Sequence, residues 1–152
     1  MRIVGRTASH LDPVVALLWR THGLGADGSW ADDPYAWLSP DGTVQAWVAL
    51  DDDDRVLGHV VLVVAAAGRM PEMTRFVVDP DVPGADVADL LLDVVERSVP
   101  GPHVRLDVAE DAHAAWERYE RRGWRLTGRG PAEWCGPDDA ALTMRSYAKR
   151  IG

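Results

Sequence analysis

The sequence predicts one α+β (mixed α/β) domain, residues 1–152, with a β-sheet flanked by helices on both faces. Three observations carry this. Runs rich in β-branched residues recur along the chain, segments with helical apolar spacing fall between them, and 152 residues suit a single core. At 47% hydrophobic and 26% charged, the chain has the balance of a globular protein, neither disordered nor fibrous.

Met1 to Arg6 reads as a short strand. A helix follows, with Asp12 as its cap, Pro13 in its first turn, Val14, Leu17 and Leu18 on one face, and Gly23 at its end. From Gly23 to Gly42 the composition shifts to Gly, Asp, Pro and Ser, so this stretch holds either a short helix or a binding loop. Val44, Ala46, Val48 and Leu50 alternate with Gln45, Trp47 and Ala49, the pattern of a half-buried strand. The run Asp51 to Asp54 then makes an acidic hairpin tip before the β-branched strand Val56 to Val64. Thr74 to Val78 is a third core strand, and Val87, Leu90, Leu91, Val94 and Val95 mark a second helix.

Pro100-Gly101-Pro102 stops that helix, and Val104, Leu106 and Val108 alternate as another strand. Asp111 can cap a third helix that buries Ala112, Ala115, Trp116 and Tyr119 and stops at Gly123. Trp124 to Arg129 and Leu142 to Ala148 close the order as two strands around a Gly/Pro-rich loop, Gly130 to Asp139.

Composition also bounds function. A net charge of −8 argues against nucleic acid, whose binding rests on neutralising phosphates, and suits a cationic partner such as an amine. The longest apolar stretch, Val56 to Ala67, is too short to span a bilayer, and the N-terminus carries no signal-peptide pattern. With Cys135 as the single cysteine, no internal disulfide is possible, and a cytoplasmic setting is expected. The five histidines have no metal-ligand spacing, and Asp51 to Asp54 lacks the spaced ligands of a calcium loop, so no metal is expected.

Three segments point to a family. Leu106, Val108, Ala115, Tyr119, Gly123 and Trp124 fall in register with the L-x-V-x-x-x-N-x-x-A-x-x-x-Y-x-x-x-G-F segment of the GNAT superfamily of N-acetyltransferases, which the chain resembles. Glu72 to Pro80 is similar to that family's E-L-x-x-L-x-V-x-P strand, and Val56 to Val60 to its v-x-G-x-x strand. The resemblance implies a central, mostly antiparallel, twisted sheet of about six to seven strands. It implies acetyl-CoA as co-substrate and acetyl transfer to a primary amine of a small molecule or peptide, by direct attack in a ternary complex.

The resemblance also implies roles. Tyr119 falls on the position of the general acid, and Glu72 where some members carry a base acting through water. The backbone from Phe76 through Val77 to Val78 would hold the thioester, with a backbone N–H near Phe76 as oxyanion donor and a bulge expected at Val77 or Val78. Ala112 and Ala115 would line the pantetheine arm, Ala112 standing where the family has Asn. The turn Pro83, Gly84, Ala85, Asp86, Val87 and Ala88 would take the pyrophosphate, but it departs from the family's R/Q-x-x-G-x-G/A. Pro83 replaces Arg or Gln and lacks an N–H, while Asp86 replaces Gly and adds a Cβ and a negative charge where an anion should approach. Arg122, with Arg75, Arg118 and Arg121, could compensate.

Trp30, Tyr35, Trp37 and Trp134 sit in the two long loops, where this fold forms its acceptor site. With Asp27, Asp32 and Asp33 they could hold a cationic amine, or the rings could cover a sheet edge or a homodimer contact. A second function stands beside acyl transfer: a GNAT fold that has lost coenzyme A and serves as a ligand-binding or protein-interaction module.

Overall fold

A computed structural model describes residues 1–22, 33–64, 69–82, 84–135 and 141–151, and of residues 84, 85, 131–135, 141 and 142 the backbone only. Strands β1 (Arg2–Gly5), β2 (Thr43–Leu50), β3 (Val56–Val63) and β4 (Glu72–Val78) pair successively antiparallel. Strand β5 (His103–Ala109) lies parallel to β4, and β7 (Ala141–Arg150) sits between β5 and the edge strand β6 (Arg125–Cys135). The sheet order is therefore β1-β2-β3-β4-β5-β7-β6, seven strands with one parallel neighbour pair. Parallel neighbours need a crossover, and α3 (Gly84–Ser98) supplies it.

Helices α1 (Leu11–His22) and α2 (Pro34–Trp37) cover one face of the first half of the sheet, where Val14, Leu17, Leu18 and Leu38 pack on Val48, Leu50, Val56 and Val77. On the other face, α3 and α4 (His113–Arg121) pack with Val60, Leu62, Met73, Leu106 and Tyr147 in the main core. Side chains alternate faces along a strand, so β3 sends Gly58, Val60 and Leu62 toward α3 and His59 toward α1. Gly58 is required by that approach: a Cβ there would lie 2.9 Å from both Leu91 Cδ1 and Val87 Cγ1.

Several local expectations change. Strand β2 is not half-buried: Ala46 through Leu50 are all buried because helices cover both faces. Neither expected aspartate cap is used. A 3-10 turn, Ala8–His10, leads into α1, so Asp12 lies in its first turn and accepts a bond from the Tyr35 hydroxyl instead (2.6 Å). Helix α4 starts at His113 with Ala112 at its N-cap, which leaves Asp111 exposed. The long stretch after α1 does hold a short helix, α2, capped by Asp33, whose Oδ1 accepts from the Ala36 N–H, with Pro34 in its first turn. The loop expected at Gly130 to Asp139 is mostly strand, because β6 runs on to Cys135 and β7 starts at Ala141. Its Pro131 is compatible with a ladder because β6 is an edge strand.

The acidic hairpin tip between β2 and β3 is an ordered turn. Asp51 Oδ1 accepts the backbone N–H groups of Asp53 and Arg55 at 2.8 and 2.9 Å, and Asp54 takes a positive φ of 63°.

Candidate functional site

The site begins with a missing pairing. β4 and β5 meet only at Glu72 and Arg105, near their N-terminal ends, and beyond that point the two parallel strands part. The β3–β4 register shifts in the same place. Val61 pairs with Thr74 and His59 with Val77, so Val60 alone faces both Arg75 and Phe76. This is a one-residue bulge in β4, and Arg75 takes φ +54°, a left-handed conformation that costs a side-chain-bearing residue about 1–2 kcal/mol. The bulge lies one to two residues before the Val77 or Val78 expected from the sequence.

Named contacts hold the strained residue. His59 is fully buried, and its Nδ1 donates to the Arg75 carbonyl at 2.9 Å. Arg6, at the end of β1, donates from Nη1 to His59 Nε2 at 2.9 Å and to the Leu38 carbonyl at 2.7 Å, and from Nη2 to Ser39 Oγ at 2.7 Å. The Arg75 side chain turns to α2, donating from Nε to the Trp37 carbonyl (2.8 Å) with its guanidinium 4.3 Å from the Trp37 ring centre. Burial, reinforced by the two arginines, pushes the His59 pKa down to about 4, so the ring is neutral near pH 7. This cluster was not singled out from the sequence. Its available signal was a histidine inside an otherwise apolar strand, since a buried polar ring needs partners.

The opening's two walls carry the residues expected around a coenzyme. Phe76, Val78, Val87, Ala115 and Tyr119 all belong to the core on the α3–α4 side, whereas Val77 points to the α1 side. The stretch from Gly84 to Ala88 is the first turn of α3 rather than a preceding turn. Val87 and Ala88 are buried, so only their backbone could face a ligand, while Asp86 is exposed in that first turn. Pro83 lies outside the described residues. Ala112 is half-buried at the α4 N-cap.

Arg122 is engaged elsewhere. Its guanidinium bonds Asp93 and Glu96 at 2.6 Å and reaches Asp89 at 3.5 Å, clamping the end of α4 to α3. Tyr119 is nearly buried, its ring 6.0 Å from Trp124 and 6.3 Å from Tyr147, and desolvation pushes its pKa up to about 12. Glu72 is half-buried on the opposite face and forms an ion pair with Arg105, which also bonds Asp107 at 2.7 Å. Desolvation raises the Glu72 pKa, and the Arg105 charge opposes that rise. Tyr35 and Trp37 both lie on α2, Tyr35 exposed and Trp37 half-buried under Arg75. Trp30 lies outside the described residues, as does the Trp134 side chain. A cavity of about 550 Å³ lined by His103, Arg125, Thr127 and Lys149 sits at the closed end of the strands, away from the bulge.

A family model described as "Acetyltransferase (GNAT) family" matches residues 11–124, a span that includes the bulge, α3 and α4. The chain belongs to the GNAT acetyltransferase family. Solved GNAT structures share its fold over nearly the full length. The ribosomal-protein-S18-alanine N-acetyltransferase from Escherichia coli superposes with a TM-score of 0.77 at 16% identity, covering 99% of this chain and 94% of that one. An aminoglycoside 6'-N-acetyltransferase complexed with coenzyme A gives 0.76 at 17% identity, covering 100% and 98%. The enzyme of that type from Enterococcus faecium gives 0.74 at 16%, covering 100% and 98%. No curated protein sequence matches significantly. In this GNAT chain, no described helix is long and apolar enough to cross a membrane.

Proposed function

We infer that this GNAT protein is an N-acyltransferase that moves an acetyl group from acetyl-CoA to a primary amine of a small molecule or a peptide. The observation that carries the reading is the coincidence of the β4 bulge with the parting of β4 and β5. A peptide held in a strained bulge beside a gap between parallel strands can present an N–H to a thioester carbonyl as negative charge develops on its oxygen.

In the proposed reaction the amine nitrogen forms a bond to the thioester carbon, the C–S bond breaks, and the sulfur leaves with a proton. Tyr119 supplies that proton: desolvation keeps its phenol protonated near neutral pH, and it shares the α3–α4 side of the core with Phe76 and Val78. Glu72 takes the amine proton through water; its raised pKa favours such a base, while Arg105 holds it in place. Phe76 to Val78, Ala112 and Ala115 line the pantetheine arm, and the backbone from Gly84 to Ala88 meets the pyrophosphate. Tyr35 and Trp37 on α2 bound the acceptor site, where the net charge of −8 favours a cation.

One observation favours a second reading, a fold that binds no coenzyme. The Asp86 carboxylate is exposed in the first turn of α3, and the nearby cation Arg122 is already paired with α3 carboxylates.

Thermal unfolding with and without acetyl-CoA, backed by calorimetric titration, separates the two. A ligand at a hundredfold its dissociation constant stabilises a native state by about 2.7 kcal/mol, several degrees in Tm at this size. A saturable shift that Asp86→Gly enlarges supports the acyltransferase; no shift and no heat at millimolar acetyl-CoA supports the module. In an amine-acceptor screen, Tyr119→Phe is expected to lower turnover about 10- to 1000-fold with little change in coenzyme affinity. Equal rates would remove the acid from the mechanism.

A further inference from the structure

The geometry points to His59 as a positioning residue that aims the backbone N–H of Phe76, with Arg6 selecting the ring tautomer that lets it do so. The inference rests on the oxyanion role given above to the Phe76 N–H. It concerns a residue that touches neither substrate in that reading.

The argument runs from donor to donor. An arginine has five N–H donors and no acceptor, and it keeps its charge in a protein. Arg6 Nη1 lies 2.9 Å from His59 Nε2, so Nε2 must be the bare, accepting nitrogen. In a neutral imidazole the proton is then on Nδ1, which lies 2.9 Å from the Arg75 carbonyl oxygen and donates to it. That bond fixes one end of the Arg75–Phe76 peptide. The peptide is trans and planar, so the Phe76 N–H projects opposite to the Arg75 carbonyl, away from His59. A strained φ of +54° at Arg75 would relax without such a hold, and the N–H would turn with it.

The relay also reaches the acceptor side. Arg6 is fastened to the Leu38 carbonyl and to Ser39, directly after α2, and Arg75 is fastened to Trp37 on α2 itself. The helix that bears two of the acceptor aromatics and the peptide that faces the thioester are therefore held by the same two arginines.

Two measurements test this. Nitrogen-15 NMR of the ligand-free protein at pH 7 should show His59 with its proton on Nδ1 and none on Nε2; the reverse tautomer or an imidazolium overturns the relay. Isotope-edited infrared spectroscopy of bound [1-¹³C]acetyl-CoA then reads the N–H itself, because a hydrogen bond lowers the thioester carbonyl stretch. Wild type and His59→Asn, whose side-chain amide can donate from the Nδ1 position, should both show the lowered stretch. His59→Leu should return it toward the value of the unbound thioester while calorimetry still detects binding. An unchanged stretch in a folded His59→Leu overturns the positioning role and leaves the acyltransferase reading standing. Absence of acetyl-CoA binding to wild type by calorimetry overturns both.

Discussion

Arg75 and His59 show how much of the site depends on single residues. At φ +54° an arginine is strained and a glycine is not, so two variants that both lack the side chain isolate the backbone term. Arg75→Gly is expected to be more stable than Arg75→Ala by about 1 kcal/mol in urea unfolding; equal stabilities would mean the bulge is not left-handed in solution. His59 sets a pH dependence. Its ordinary pKa of 6.5 falls to about 4 in the fold, where Arg6 and the Arg75 carbonyl face the ring nitrogens and the Arg75 charge lies near. Between those values the unfolded chain binds the proton and the folded chain does not. The stabilisation is therefore complete above pH 6.5 and is lost as pH falls through 4, on the order of 3 kcal/mol in all. Unfolding free energies at pH 7 and pH 4.5 should differ less in His59→Leu than in wild type, and identical slopes would contradict the buried neutral ring.

At the scale of elements, the seat of α3 on β3 decides where the first turn of α3, the proposed coenzyme end of the site, lies. Gly58 lets Val87 and Leu91 come down onto the strand, with the Val77 carbonyl 3.1 Å from where a Cβ would be. Gly58→Ala must push back the stiff Val87 side chain and the backbone beside it, so a loss of about 1–3 kcal/mol and a Tm lower by several degrees are expected. A neutral effect would show that α3 shifts freely on the sheet. The clamp of Arg122 on Asp89, Asp93 and Glu96 works with this packing, tying α4 to the same helix. A pattern reading of the sequence can place Arg122 on a helix near a ligand, but only the packed pair shows that α3 carboxylates already surround it.

Over the whole molecule, charge should shape how the two substrates meet. With a net charge of −8 and Asp86 in the first turn of α3, an anionic coenzyme approaches against the field, and a cationic amine approaches with it. Raising ionic strength from 20 to about 150 mM shortens the Debye length from roughly 20 to 8 Å. Acetyl-CoA affinity is expected to rise or hold over that range in wild type and to change less in Asp86→Gly, which removes the carboxylate nearest the first turn of α3, as calorimetry would show. A steep loss of affinity in wild type would mean that a cationic pocket, and not the backbone of α3, holds the phosphates.

The sequence by itself determined the order of the main elements, the hairpin with its acidic tip and the family, because each is written in local periodicity, turn chemistry or motif spacing. Glu72, Phe76, Ala115 and Tyr119 could be named as candidates for the same reason: they occupy fixed places within short motifs. The helix faces followed only in part, since Leu90 is exposed and Ala112, Ala115 and Trp116 are half-buried. What only the tertiary structure decided are relations between distant segments. The bulge fell at Arg75–Phe76 and not at Val77 or Val78, because its position depends on the β3 partner and on His59. The aspartates at 12 and 111 lost their capping roles to a preceding 3-10 turn and to Ala112. Arg6, His59, Arg75 and Trp37 became one unit, though 53 positions of sequence separate Arg6 from His59 and 38 separate Trp37 from Arg75. A hydrogen bond between residues 6 and 59 leaves no periodic mark in either segment. It exists because β1, β3 and the end of α2 are brought together around a ring that burial deprives of water.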